Sequence, residues 1–165
     1  MAAYRFVTIW RFSEPIGQVW KALNAAEDYP LWWPNVSYYQ CLTPENPRGV
    51  GACGKRAVRG FLPYSLHYTT TITRSEPPHD LAYNAEGDLV GDGQFVLKEI
   101  TPNTPPGSAA GKTAGTEVTL HWNVATQGRW LNRLSPLLKW LFAANHNYVM
   151  RRGERGLADW LQRNP

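Results

Sequence analysis

Sulfur is scarce in this sequence, which has two cysteines, Cys41 and Cys53, and two methionines. Neither cysteine belongs to a Cys-x-x-Cys pair, and two in a chain of this length make no disulfide framework. A basic segment followed by an apolar run is missing from Met1 to Phe6. Together these absences point to a reducing, cytoplasmic setting. Long hydrophobic runs are also missing: the greasiest stretch, Leu137 to Ala144, is interrupted by Lys139, far short of the ~18 apolar residues that a membrane span needs. Concentrated charge is missing as well. The net charge of +4 is spread thinly, and Arg151, Arg152 and Arg155 form the only tight basic group, so the charge reads as solvated surface and no nucleic-acid partner is expected.

Metal and cofactor signals fail one by one. His67, His79, His121 and His146 lack the spacing that would aim two imidazoles at one ion, so no metal site is expected. Gly49-Val50-Gly51-Ala52-Cys53-Gly54 satisfies G-x-G-x-x-G, but it opens a strand with no βαβ unit around it, and no dinucleotide or other cofactor is expected. Asn35-Val36-Ser37 matches a glycosylation acceptor without the secretory context that would give it meaning. Cys53 has no base beside it in sequence and reads as a small inert thiol.

Aromatic residues are what the chain has in excess, eight Trp and eight Tyr. Their N–H and O–H groups need partners when buried, so such side chains often line binding sites. Tyr4 to Phe12 alternates, with Phe6, Trp10 and Phe12 on one side and Arg5, Val7, Ile9 and Arg11 on the other, which predicts a first strand. Ser13 can cap a following helix, Pro15 fits its first turn, and Ile16, Val19, Trp20 and Leu23 form its apolar face. Tyr29 to Pro34 holds two prolines, which forbid a long helix, and three large aromatics; it is expected to lie over the domain as a lid or wall. Val36 to Leu42, Gly54 to Phe61, Ser65 to Arg74, Asp80 to Glu86, Gln94 to Ile100 and Thr116 to Thr126 read as further strands, closely spaced enough for an antiparallel meander. Pro102 to Gly115 lacks periodicity and reads as a mobile surface loop.

Trp130 to Leu161 reads as one long helix. At about 100° per residue, Leu134, Leu138, Leu141, Asn145, Val149, Arg152 and Gly156 share a stripe, edged by Phe142, Tyr148 and Trp160. Asn145, Arg152, Gly153 and Gly156 leave polar groups and holes where a core helix would carry Leu or Ala, so the helix is either badly packed or built beside a cavity. The fold class is therefore α+β, one domain over residues 1–165. A curved antiparallel sheet of about seven strands wraps a long C-terminal helix, with short helices between strands 1 and 2. One helix cannot fill such a concavity, and a ligand-sized space between them is expected.

The run Phe6 to Val36, with its Glu-Pro, Val-Trp and Tyr-Pro-x-Trp-Trp-Pro, resembles the opening of the START-like, or SRPBCC, superfamily of helix-grip proteins, in particular its polyketide cyclase/dehydrase-like branch. Leu62-Pro63-Tyr64, Glu86 to Gly91, Gly115 to Val118 with Trp122, and Asn145 to Leu157 continue the resemblance over nearly the whole chain. Where members commonly show Ala-Pro before the first helix, this chain has Glu14-Pro15. The resemblance implies a seven-stranded sheet gripping the last helix around a hydrophobic cavity. The superfamily includes lipid and hormone carriers, aromatase/cyclases and coenzyme-Q-associated proteins, so a fold is implied more firmly than an activity, and no catalytic triad carries over.

Trp32, Trp33, Tyr38, Tyr68, Trp122 and Tyr148 are the expected aromatic wall, with Arg59 a further addition. Arg152 has two readings: a fork that holds a carboxylate or phenolate inside the cavity, or a side chain that reaches water or pairs with Glu86 or Asp88. Asn145 either orients a ligand carbonyl or bonds a neighbouring strand, and His146 lies toward the helix flank in a surface or packing role. The expected function is binding of a hydrophobic, aromatic or polyketide-like small molecule between sheet and helix. The alternatives are a cyclase or dehydratase acting on such a ligand, with Arg152, Tyr148 or Tyr68 handling an enolate or a proton, and a module that docks a membrane surface or a protein through exposed tryptophan.

Overall fold

A computed structural model describes residues 3–101, 115–127 and 136–165. Seven strands form one antiparallel sheet in the order β1-β7-β6-β5-β4-β3-β2, with β1 Ala3–Phe12, β2 Val36–Cys41, β3 Cys53–Val58, β4 Leu66–Glu76, β5 Asp80–Gly87, β6 Leu89–Ile100 and β7 Gly115–Thr126. Between β1 and β2 lie helix α1 (Ile16–Asn24), a single 3-10 turn at Ala26–Asp28 and the four-residue helix α2 (Tyr29–Trp32). The long helix α3 (Pro136–Arg163) follows β7 and lies against the concave face. This is the helix-grip arrangement that the strand pattern and the resemblance predict.

Alternation explains the sheet. Tyr4, Phe6, Trp10 and Phe12 of β1 point inward, as do Val118, Leu120, Trp122 and Val124 of β7, while Val7 and Ile9 stand exposed on the convex side. β6 begins at Leu89, earlier than the predicted Gln94, because a turn at Gly87-Asp88 closes the hairpin and the strand then runs through Gly91 and Gly93. Both glycines are required there. A Cβ at Gly91 would run into the Asn123 carbonyl, and one at Gly93 into the Tyr83 ring, which lies across the neighbouring strand.

Two helix expectations need correction. Ser13 does not cap α1: Pro15 is the N-cap residue, no side chain caps it, and the Pro15 carbonyl accepts from Gln18 N at 3.0 Å and Val19 N at 3.2 Å. The buried face of α3 is Phe142, Asn145, His146, Val149, Met150, Gly153, Leu157 and Leu161, so the stripe is rotated from the predicted one and Arg152 lies outside it. The holes in α3 are filled. A Cβ at Gly153 would sit 2.6 Å from Trp33 Cε2, and one at Gly156 would collide with the Trp32 carbonyl. Missing volume on α3 is thus what lets α2 approach it, and the segment from Tyr29 to Pro34 is a wedge in the core more than a lid. Its anchor is Trp33, whose Nε1 donates to the Val149 carbonyl at 2.9 Å and whose ring meets Trp10 edge-on. The predicted helix start at Trp130, Leu134 and the loop from Pro102 up to Gly115 lie outside the described residues.

Candidate functional site

Three adjoining spaces share walls inside the concave sheet, two of them against α3 and the third between the sheet and the end of α1. The first, about 50 Å³, is bounded by Gly60, Tyr64 and Leu66 on one side and Phe142, Asn145 and His146 on the other. The second, about 40 Å³, lies deeper among Tyr29, Trp33, Arg56, Tyr83 and Phe95; Val58, Tyr68, Trp122, Val149 and Met150 separate it from the first. The third, about 30 Å³, continues past Arg56, Tyr29 and Tyr83 toward Pro47, Arg48 and Gly49. Each has room for a few waters at most, far less than the ~300 Å³ of a usual small-molecule pocket. The expected ligand-sized space is present only as these separate chambers, divided by side chains.

Tyr68 and Trp122 belong to this interior, with ring centroids 6.1 Å apart. Trp33 lines the middle chamber. Asn145 lines the outer one, and its Oδ1 accepts from Leu62 N at 3.2 Å, so it clasps the β3–β4 connection; only a glycine at position 60 leaves room for that amide. Trp32 is buried but stacks on Trp33 at 5.3 Å, beside α3, and borders none of the three chambers.

The remaining expected wall residues stand elsewhere. Tyr38 is 44% exposed and donates to Gln40 Oε1 at 2.6 Å on the outer sheet surface. Arg59 is exposed just beyond β3, where its carbonyl accepts from Asn35 Nδ2 at 2.8 Å. Tyr148 and Arg152 face outward from α3. Arg152 Nη1 donates to Tyr148 Oη at 2.9 Å, and both border an open surface cleft of about 480 Å³ with Pro34, Arg151, Arg155, Gly156 and Asp159. The phase of α3 is the cause: at about 100° per residue these two positions follow the solvent side set by Arg151 and Arg155.

Arg56 is the interior cation. In β3 it shares a face with Gly54 and Val58, which places it on the concave side while Arg59 falls outside the strand. Its Cζ lies 5.6 Å from the ring centre of Tyr29, 5.4 Å from that of Tyr39 and 5.9 Å from that of Tyr68. Nη2 donates to Thr70 Oγ1 at 2.6 Å, whereas Nε is buried without a partner. Among the described residues no carboxylate forms an ion pair with it; the nearby Glu27 is taken by Arg48. The phenols cannot supply the missing charge. Burial pushes the hydroxyls of Tyr29, Tyr39, Tyr68 and Tyr83 up, with Tyr83 well above its ordinary value, and the opposing pull of Arg56 does not overcome this. The site is thus a positive charge caged by neutral π faces.

His146 is a second polar group of the chamber wall that the sequence-derived wall did not include. Of its two expected roles it takes the packing one: it is buried, and its ring stacks on Phe6 at 3.9 Å. Burial lowers its pKa to about 4, so it is neutral at pH 7, and Nε2 has no partner. The strand parity of β3 would have revealed Arg56; nothing in the local sequence distinguishes His146 from a solvent-facing histidine.

No family model and no curated protein matches the chain by sequence. Similarity appears in structure. The Zhui aromatase/cyclase from Streptomyces sp. R1128 superposes with a TM-score of 0.71 at 14% identity, covering 98% of this chain and 95% of that one. The di-domain ARO/CYC BexL from the BE-7585A biosynthetic pathway gives 0.70 at 14% identity over 99% of this chain, which spans 51% of that longer protein. Ara h 8.0201 gives 0.59 at 13% identity, with 99% and 100% coverage. At such identities the likeness is one of fold, and the chain has the helix-grip fold that it shares with these aromatase/cyclases and with Ara h 8.0201.

Proposed function

We propose that the protein binds a hydrophobic, aromatic or polyketide-like small molecule in the chambers between sheet and α3, with an anionic or enolic oxygen of the ligand seated at Arg56. The observation that carries this reading is the unpartnered Nε of Arg56 among tyrosines that stay neutral. A half-buried cation with a buried, unpartnered Nε and no counter-ion is costly, and an oxyanion entering the cage would relieve that cost while the ligand's rings stack on Tyr68, Tyr83 and Trp122. Met150, which divides the outer chamber from the middle one, is the flexible side chain best suited to rotate aside. The wall is Trp33, Tyr68, Trp122 and Asn145 of the sequence-derived set, joined by Tyr29, Arg56, Tyr83, Phe95 and His146.

A paired titration tests the reading. Naphthalene and 1-naphthoate differ by one carboxylate, and tryptophan emission and melting temperature report both. Tighter binding of the naphthoate, reduced about tenfold or more by Arg56→Met while naphthalene is unaffected, is the expected result. Equal losses for both ligands, or binding of neither, would overturn it.

A cyclase or dehydratase acting in the same chambers is the second reading, favoured by the aromatase/cyclase names of two similar structures. In it Arg56 would stabilise a developing enolate, and the confining walls would impose the fold of the substrate. Turnover of a poly-β-ketone analogue, lost in Arg56→Met with binding of its neutral product retained, separates catalysis from carriage.

A further inference from the structure

The solvent side of α3 carries two kinds of residue in sequence along its axis. Near the start of the helix, Leu137 and Trp140 are each 65% exposed, and Phe61, 50% exposed on the β3–β4 connection, stands edge-on to Tyr148 at 5.7 Å. Further along, Arg151, Arg152 and Arg155 surround the open cleft. Helical periodicity of about 100° per residue puts Leu137, Trp140, Tyr148, Arg151 and Arg155 within one arc, opposite the buried arc of Phe142, His146, Met150, Gly153 and Leu157. Lys139 is exposed although it falls on the buried arc, so the first turn of α3 projects past the sheet. Among the described residues none of the three arginines is in an ion pair, and Asp159 is the one acid in their cleft.

We propose that this outer face of α3, with Phe61, docks on an anionic lipid bilayer. The apolar half calls for a medium as greasy as a core, and the cationic half for a layer of negative charge beside it. A bilayer surface offers both in parallel planes, with Trp140, Leu137 and Phe61 below the headgroups and the guanidinium groups at the phosphates. No helix among the described residues is long and apolar enough to cross a membrane, so α3 would meet the surface at a tilt, its first turn deeper than the arginine cluster. Gly60, next to Phe61, borders the outer chamber, so docking would turn that end of the interior toward the lipid. The surface and the interior are nonetheless separate proposals, and each stands if the other fails.

Flotation with phosphatidylcholine vesicles, with and without phosphatidylglycerol, tests the docking. The full chain is expected to float with the anionic vesicles only, to be released by salt, and to shift its tryptophan emission to the blue on binding. Arg151→Gln with Arg155→Gln should weaken partition about thirtyfold, from roughly fivefold per charge. Trp140→Ala with Phe61→Ala should weaken it comparably, and because all four side chains are exposed the melting temperature should hold in both variants. No flotation, or flotation indifferent to both pairs of substitutions, would overturn the proposal. So would a dimer in solution that Trp140→Ala dissociates, which would assign the face to a second copy of the chain.

Discussion

Acidification should destabilise this protein through His146. The imidazole is stacked on Phe6 and buried, its Nε2 is unpartnered, and its pKa falls from 6.5 to about 4 because burial disfavours the charged form. In the unfolded chain the same group binds a proton near 6.5. Between those values the unfolded state holds more protons than the folded one, so stability is complete above pH 6.5 and declines as pH falls toward 4. At about 1.4 kcal/mol per pKa unit the full loss is about 3 kcal/mol, roughly 6–12 °C in melting temperature for a chain of this size. His146→Phe keeps a ring against Phe6 and removes both the titration and the orphaned nitrogen. Urea melts of the two proteins across this range are the measurement. Carboxylates titrate in both, so the difference between the curves isolates the histidine. The variant should gain on the parent by about 3 kcal/mol as pH is lowered. Parallel curves would refute the reasoning, since they would mean that the folded imidazole takes its proton as readily as the unfolded one.

Other substitutions probe the wedge and the chambers. Gly156→Ala meets a backbone carbonyl that cannot rotate away and should cost about 3 kcal/mol, whereas Gly153→Ala meets the Trp33 ring and should cost about 1–2 kcal/mol, both read from denaturant melts. Met150→Ala should lose about 2–4 kcal/mol of stability by opening the wall between two chambers, with part of the loss restored by a bound aromatic ligand. Arg56→Met should leave the ligand-free protein no less stable, because it removes a half-buried charge whose Nε lacks a partner; a loss above about 2 kcal/mol would contradict the cage as described.

Most of the sheet could be read from alternation because one face is buried and the other wet, so parity alone assigns sides to β1, β4 and β7. β6 was half hidden: Gly91 and Gly93 look like loop residues in sequence and make sense only beside Asn123 and the Tyr83 ring. The phase of α3 was misread by roughly 80° because Leu134, Leu138 and Leu141 dominate the pattern near its start. There the helix runs past the sheet, and Leu137 and Trp140 are exposed. That rotation puts Arg152 at the surface, the second of its two readings, leaves Tyr148 half-buried at the edge of the core, and gives His146 a packing role inside. Arg56 escaped notice for a different reason. An arginine reads as solvent-facing by default; strand parity puts Arg56 on the concave face, but its enclosure depends on four tyrosines brought near it by β2, β4, β5 and α2.

The partitioned interior also governs how fast anything larger than a few waters can bind. With chambers of about 30 to 50 Å³, an aromatic ligand meets a closed protein on nearly every encounter. Association then requires a prior opening, and the apparent affinity is the intrinsic one reduced by the open fraction; a population of about 1% costs roughly a hundredfold. In rapid mixing, observed rates should level off at high ligand concentration at the rate of opening, and that plateau should be the same for chemically different ligands.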